Sequence, residues 1–180
     1  MIEKIARKAN LLRYSFQASR CFQQPFFATL RITTFIDRSM YCHLLFGHLK
    51  LMTRADVFTD NIGAGHSGNL LSTICPETGT IAKSLLKRAD GAGRRLISHH
   101  PVTHRELTGF PIPCWSEACD LVRRAADTFL PVRSVGWDVA VTDEGVKTIE
   151  GNIWWDRRDY AGDYMATVLN DLDGPQAALA

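Results

Sequence analysis

The 180-residue chain carries 21 basic and 19 acidic side chains, and this small net charge of +2 gives no electrostatic footprint for nucleic-acid binding. An apolar fraction of 46% is sufficient for one core, and no apolar run approaches the ~20 residues of a membrane-spanning helix. The five cysteines are odd in number and lack Cys-x-x-Cys spacing. They argue against a zinc site or a disulfide framework, and we expect a reducing, cytoplasmic location.

We expect three parts: a basic arm over residues 1–24, one folded unit over 25–172 and a frayed tail over 173–180. The arm has apolar residues at roughly helical spacing. A remnant of a longer domain or a terminal helix that packs by its apolar stripe is favoured, whereas a targeting peptide or a membrane-surface helix stays open as an alternative.

Strands are predicted first at Phe27–Ile36, which is β-branched and aromatic, and then at Tyr41–Leu51, where a short helix is the alternative. A further strand at Leu70–Ile74 would pair with Thr80–Leu85 across a turn at Pro76–Gly79.

Residues 60–68 form the most glycine-rich stretch of the chain. Its glycines would let the backbone approach a phosphate or acyl group closely, although a plain loop is the alternative. The stretch lacks the Gly-Lys-Ser/Thr ending of a P-loop, which disfavours that class of nucleotide-binding protein.

Residues 83–95 are cationic and contain two glycines, so we expect a solvated loop there. Three histidines follow at 99, 100 and 104. Pro101 and the absence of a nearby cysteine or acid at ligand spacing weaken a zinc hypothesis. Histidine that contacts substrate or packs beside the site is favoured.

An amphipathic helix is predicted next, with Ser116 as N-cap, Glu117 in the first turn and Pro131 beyond its end. Its apolar stripe is expected to face the core. The stripe comprises Ala118, Leu121, Val122, Ala125 and Phe129.

Two alternating runs flank Asp143-Glu144-Gly145, a pattern typical of a hairpin with glycine at a left-handed turn position. The turn predicts that Thr142 faces Val146, Ala140 faces Thr148 and Asp138 faces Glu150. Facing residues have Cβ atoms roughly 5 Å apart, so two carboxylates would lie side by side.

Because side chains alternate between faces, Asn152 joins Glu150 on the side of Asp138. Hard oxygen ligands of this kind suit magnesium, whereas the alternative is an exposed hairpin with solvated acids. Trp154 and Trp155 follow directly and would either stack on a substrate or cover the end of the sheet.

The hairpin sequence, Gly136–Val141 followed by Ile149–Asn152, resembles the metal-binding end of ATP-grasp enzymes, in the version of the sugar-transfer-associated ATP-grasp family. Other segments resemble the same family, and their order and spacing between about Thr29 and Asp156 make the set specific. They are Thr29–Thr34 with Arg31, Asp60-Asn61 with Gly63, Gly65 and Gly68, Glu77–Gly79, His100–Thr103 and Gly109–Trp115. His104 departs from the pattern, because glycine is usual at that position, and the glycine loop is looser than the family's compact double glycine.

The resemblance implies an α+β fold, a mostly antiparallel sheet with flanking helices that forms a C-terminal ATP-grasp-like subdomain. It implies ATP and Mg²⁺ (or Mn²⁺) as cofactors and an ATP-dependent carboxylate-amine-type ligase that forms an acylphosphate. The implied residues are Asp138, Glu150 and Asn152 for the metal, Arg31 and Asn61 for catalysis, and Asp60, Gly63, Gly65 and His100 for cofactor binding.

The partners expected from the resemblance are a nucleotide and a small carboxylate or sugar-linked substrate. The residues ahead of the Arg31 strand are too few for the family's first subdomain, so we expect a nucleotide-binding half in trans and little turnover by the chain alone. The alternative is a non-catalytic or truncated ATP-grasp module that acts in binding or assembly. A hydrolase that uses both carboxylates with His100 is disfavoured, since nothing resembles a nucleophile–base pair.

Overall fold

The computed structural model describes residues 28–53, 69–87, 93–142 and 145–155, together with Val168 and Asp171. Within these ranges the chain forms a seven-stranded antiparallel sheet and one complete helix. The elements are β1 (Ala28–Ile36), β2 (Cys42–Leu51), β3 (Leu70–Ile74), β4 (Ile81–Lys87), β5 (Arg94–Ile97), α1 (Trp115–Thr128), β6 (Ser134–Thr142) and β7 (Gly145–Asn152). The predicted mostly antiparallel sheet is therefore confirmed.

The strand order is β5-β4-β3-β2-β1-β6-β7, and every neighbouring pair is antiparallel. The first five strands form a meander, and the chain then returns through α1 to place β6 against the outer side of β1. This return makes β1 and β6 neighbours although about a hundred residues separate them in sequence. It is the topological step that builds the candidate site.

The predicted strands at 27–36, 41–51, 70–74 and 80–85 are confirmed, with small shifts at their ends. The loop predicted over residues 83–95 is wrong in part, because β4 continues to Lys87 and β5 begins at Arg94. The exposed Arg94 and Arg95 lie on the outermost strand. Long cationic side chains stay hydrated there and discourage pairing with another chain, so a basic run is compatible with an edge strand.

Helix α1 packs on one side of the sheet, which we call the helix face. Burial of each large aliphatic side chain there contributes roughly 1.5–3 kcal/mol. The core includes Leu30, Ile32, Leu49, Leu51 and Val139 from the strands and Ala118, Cys119, Val122 and Ala126 from the helix. Val135, Trp137 and Val141 also lie on this face, as the hairpin alternation predicts.

The start of α1 is set by packing rather than by a side-chain cap. The N-cap is Cys114, which has a left-handed φ of 55° and makes no side-chain capping bond. The predicted N-cap, Ser116, is therefore wrong by two residues. Trp115 anchors the first turn, since its indole N–H donates to the carbonyl of Pro76 at 3.0 Å.

The aromatic ring of Trp115 also requires two glycines beneath it. A Cβ at Gly47 or at Gly79 would lie 2.5 Å or 2.4 Å from its ring atoms. Gly79 in addition has a left-handed φ of +68°. Tertiary packing at this point outweighs the local capping preference that favoured Ser116.

The β6–β7 hairpin keeps the predicted pairing of its acids but reaches it differently. Thr142 pairs with Gly145, whose φ of +96° is positive as predicted, so the tip is one residue tighter than expected. Ala140 consequently faces Lys147 instead of Thr148. A bulge then leaves Ile149 out of the ladder, and because the pairing skips this residue Asp138 faces Glu150 as predicted.

A smaller apolar cluster lies on the opposite face of the sheet. Phe35, Leu45, Phe46 and Val168 are buried together, and Trp155 packs against them. Asp171 anchors the same region, because it accepts a hydrogen bond from the backbone N–H of Arg38 at 3.0 Å and pairs with Arg133.

Among the described residues, no helix combines the length and apolar character needed to cross a membrane. The four described cysteines, at positions 42, 75, 114 and 119, are all free thiols.

Candidate functional site

A single row of directly paired residues crosses six strands of the sheet on the face opposite the helix. We call it the polar row. From β4 to β7 it consists of Lys83, Thr73, His48, Arg31, Asp138 and Glu150. Its two ends are exposed, whereas His48 and Asp138 in the middle are buried.

Asp138 is held by two cations. Arg31 donates to it in bidentate fashion, from Nε to Oδ1 at 2.5 Å and from Nη2 to Oδ2 at 2.7 Å. Lys50 donates from Nζ to Oδ1 at 3.2 Å. Because Asp138 is only 6% exposed, this carboxylate belongs to a partly buried ion-pair cluster and not to a solvated patch.

The cluster keeps Asp138 ionised. Burial by itself would raise the pKa of this carboxyl, but the hydrogen bonds and positive charges of Arg31 and Lys50 outweigh burial and lower the pKa below its usual range. The carboxylate is therefore negative at neutral pH, which is the state that a metal ion requires.

Glu150 lies directly opposite Asp138 but is exposed and forms no ion pair in the described part of the chain. Its one hydrogen-bond partner there is Asn152, whose Nδ2 donates to Oε1 at 3.1 Å. Asn152 also donates to the carbonyl of Gly136 at 3.4 Å. These bonds use the amide nitrogen, so that the amide oxygen Oδ1 keeps its acceptor capacity.

The donor set fits a hard divalent cation. An ionised carboxylate has about four acceptor positions, and the described partners of Asp138 use three of them. Glu150 and the Oδ1 atom of Asn152 add further oxygen donors of the type that Mg²⁺ or Mn²⁺ prefers. No group of three or more His, Cys, Asp or Glu side chains suited to a metal occurs within the described ranges, so any site here depends on the asparagine as the third ligand.

Gly136, two residues before Asp138 on β6, leaves the space that Trp155 and Arg31 occupy. A Cβ at residue 136 would lie 2.9 Å from the Cβ of Trp155 and 3.4 Å from Nη1 of Arg31. The indole N–H of Trp155 donates to Ser134 at 2.8 Å, and its ring meets Phe46 edge-on. Trp155 thus covers the end of the sheet, while the adjacent Trp154 is 92% exposed.

His100 lies far from this cluster. It occupies the turn after β5, at the opposite edge of the sheet from β7. Its Nδ1 accepts the backbone N–H groups of Val102 and Thr103 at 3.3 and 3.2 Å, so the His-Pro-x-Thr element forms a local turn. Burial, with a smaller contribution from His104, lowers the pKa of His100 and favours the neutral ring.

His104 ends the same turn with a left-handed φ of 58°. A residue with a Cβ is strained in that region, which explains physically why glycine is usual there.

The other predicted site residues lie outside the described ranges. Asp60, Asn61, Gly63 and Gly65 fall between residues 54 and 68. Their predicted roles in orienting the acceptor and contacting the nucleotide stay predictions.

Sequence reasoning missed Lys50. Its side chain starts on β2, crosses the intervening β1 and reaches Asp138 on β6. Strand alternation places Lys50 on the same face as His48, but only the β1–β2 register shows that it lies beside Arg31.

The comparisons with known proteins gave one family match. A family described as sugar-transfer associated ATP-grasp matches residues 19–158. Neither the curated proteins nor the solved structures gave a match. The matched residues include all seven strands of the described sheet and helix α1.

Proposed function

We propose that this chain forms the metal-binding side of an ATP-dependent ligase site. The premise is that the chain belongs to the sugar-transfer-associated ATP-grasp family and is an ATP-binding ATP-grasp domain. The observation that carries the proposal is the direct pairing of Asp138 with Glu150, next to the Arg31 side chain, on one face of the sheet. Acidic oxygens and a cation therefore lie side by side, as a metal–phosphate group requires.

Glu150, Asn152 and Asp138 would hold Mg²⁺ or Mn²⁺. When bound, the metal supplies charge neutralisation for the phosphate oxygens. Arg31 would face the negative charge that develops on the transferred phosphoryl group, because its guanidinium is already fixed by a bidentate bond to Asp138. Positioning and charge neutralisation provide most of the catalysis in such reactions.

The proposed reaction has two steps. A substrate carboxylate oxygen attacks the γ-phosphorus of ATP, the bond to the β-phosphate oxygen breaks, and ADP leaves with an acylphosphate formed. An amine then attacks the acyl carbon, loses a proton and expels inorganic phosphate. Asn61 and its neighbouring glycines are proposed to orient the acceptor, and the substrate is proposed to be a small carboxylate or a sugar-linked molecule.

The alternative is an ATP-grasp module that binds without turnover, in assembly or in complex with another chain. The engagement of Asp138 by two cations favours this alternative, since that carboxylate already has partners. A nucleotide-binding half supplied in trans would distinguish the two functions, because acceptor-dependent ADP release should occur only with a ligase.

The first test is Mn²⁺ binding, measured by calorimetric titration of the full chain. Glu150→Gln and Asp138→Asn should each weaken binding by roughly tenfold or more, since even outer partners of a metal site act on that scale. The matched control is Glu106→Gln, which alters an exposed glutamate at the other edge of the sheet and should bind like the wild type. Equal affinities in all four proteins would refute the metal site.

A further inference from the structure

The end of β7 carries two of the three proposed metal ligands, Glu150 and Asn152, at the edge of the described sheet. There β7 pairs with β6 alone, because it is the last strand in the order. The last residues of an edge strand open locally at a low cost in free energy when few contacts hold them. Asn152 contributes one long hydrogen bond to β6, from Nδ2 to the carbonyl of Gly136 at 3.4 Å. A ligand set at this place therefore needs a further contact to keep its geometry.

Trp155, three residues beyond Asn152, supplies a contact of this kind. Its indole N–H donates to Oγ of Ser134, the first residue of β6, at 2.8 Å. The hydroxyl of Ser134 donates in turn to the carbonyl of Thr34 on β1 at 3.2 Å. Two consecutive hydrogen bonds thus join the chain that follows β7 to β6 and to β1.

The ring of Trp155 extends this connection to a further strand. It meets the ring of Phe46 on β2 edge-on, and the two ring centroids are 5.5 Å apart. The Cβ atom of Trp155 lies close to Gly136, since a Cβ added at that glycine would be 2.9 Å away from it. One side chain from the edge of the sheet therefore crosses two strands, β6 and β1, to reach β2.

The side chain of Arg31 lies beside the same glycine. Its Nη1 and Cδ atoms are 3.4 Å and 3.5 Å from the Cβ position of Gly136 that Trp155 also approaches. Arg31 in turn holds Asp138 through its bidentate bond. The residue that fixes the end of β7 is thus a neighbour of the residue that fixes Asp138, and the spacing of the proposed metal ligands depends on both.

Packing alone would explain the ring of Trp155 but not its orientation. A phenylalanine would fill much of the same space against Phe46, because an apolar cluster requires little more than suitable volume. The indole N–H can only donate, whereas the hydroxyl of Ser134 both accepts and donates, so this pair selects one orientation of the ring. A fixed orientation is what the support of a neighbouring ligand set requires.

We propose that Trp155 is a positioning residue, which acts through Ser134 to hold the end of β7 in place. Glu150 and Asn152 are thereby kept beside the carboxylate of Asp138. The consequence for metal binding rests on the proposed function. The hold on β7 itself needs no metal, so that the two can be tested separately.

The test is amide hydrogen exchange at residues 150–152 of the full chain in EDTA, followed by NMR. Trp155→Phe keeps an aromatic ring and removes the N–H donor, so exchange there should be roughly fivefold faster, the factor that corresponds to one neutral hydrogen bond. Ser134→Ala removes the acceptor and should have the same effect. The double variant should exchange no faster than the faster single variant, because both changes remove the same bond. Urea titration establishes that each variant is folded.

The matched control is Trp154→Phe, the same chemical change at the neighbouring residue, whose side chain is 92% exposed. It should leave exchange at residues 150–152 unchanged. The proposal is overturned if Trp155→Phe exchanges as slowly as the wild type or if Trp154→Phe accelerates exchange to the same degree. It is also overturned if the effects of Trp155→Phe and Ser134→Ala add.

Mn²⁺ titration of the same variants separates this inference from the proposed function. Trp155→Phe and Ser134→Ala should bind Mn²⁺ about threefold to tenfold more weakly than the wild type, at or below the range for residues that orient metal ligands. Wild-type affinity in Trp155→Phe, with binding lost in Glu150→Gln, would overturn the positioning role and leave the metal site standing. No Mn²⁺ binding by the wild type, with the exchange rates as expected, would refute the metal site and support the hold on β7.

Discussion

Two carboxylates face each other across β6 and β7, and their surroundings differ in every respect. Asp138 lies on a strand that is buried on both faces, and it is fixed by Arg31 and Lys50. Glu150 lies on the edge strand and is exposed, and its hydrogen-bond partner among the described residues is the amide of Asn152. The two acids can therefore have different roles. The buried carboxylate of Asp138 binds two cations, whereas the exposed carboxylate of Glu150 stays accessible to a ligand.

The sharpest way to break this comparison is to neutralise each acid in turn. Asp138→Asn should lower the free energy of unfolding at pH 7 by about 3 kcal/mol, because it removes the negative charge that two partly buried cations contact. Glu150→Gln should change that free energy by less than about 0.5 kcal/mol, since its carboxylate is hydrated and unpaired with any described cation.

Urea denaturation followed by circular dichroism measures both values. Equal losses in the two variants would contradict the division of roles. The slope of free energy against urea should remain the same, which confirms that each variant unfolds from the same compact state.

The same contrast recurs in the two tryptophans that follow β7. Trp155→Ala should lower the free energy of unfolding by about 2 kcal/mol, because Trp155 is half-buried against Phe46 and Ser134. This loss is smaller than the loss expected for a fully buried tryptophan. Trp154→Ala should lower the free energy of unfolding by less than about 0.5 kcal/mol, because Trp154 is 92% exposed.

Thermal unfolding compares the two tryptophan variants, and iodide quenching of fluorescence provides the control. Quenching should fall strongly in Trp154→Ala and little in Trp155→Ala. Strong protection of Trp154 from iodide would contradict its exposed placement.

The smallest expected effect is the pH dependence of the stability that Asp138 contributes. The pKa of this carboxyl is lowered in the folded chain, so its ionised form contributes stability that is fully present above its unfolded pKa, near 3.8. That contribution is lost as the pH falls through the lower, folded value. The difference in unfolding free energy between the wild type and Asp138→Asn should therefore be constant between pH 5 and 7 and shrink below about pH 4. Urea titrations at pH 7, 5, 3.5 and 2.5 check this, and a difference that grows on acidification would contradict the assignment.

Strand positions followed from the sequence because alternation and β-branched content are local signals. Leu70–Ile74 forms the strand predicted for it, and Val135 and Trp137 face the core as their spacing indicates. The first residue of α1 could not be predicted from the sequence, because Trp115 packs on the distant Gly47 and Gly79 rather than on its neighbours in sequence.

The candidate site could be predicted only in part, because it too depends on contacts between residues that are distant in sequence. The pairing of Asp138 with Glu150 was predicted from a longer turn and no bulge, and the two differences cancel. The contact of Arg31 with Asp138 depends on the placement of β6 against β1, and the reach of Lys50 depends on register. Neither is visible in a single sequence without the sheet order.

The extra residue of β7 has a consequence for the chain length of the hairpin. If Ile149 were deleted, Thr148 would still pair with Val139, and the following Glu150 would still stand opposite Asp138. The pairing needs no residue at position 149, whereas the local twist that a bulge adds does. Deletion of Ile149 is therefore expected to keep the acidic pair and to remove the added twist of the strand beside it.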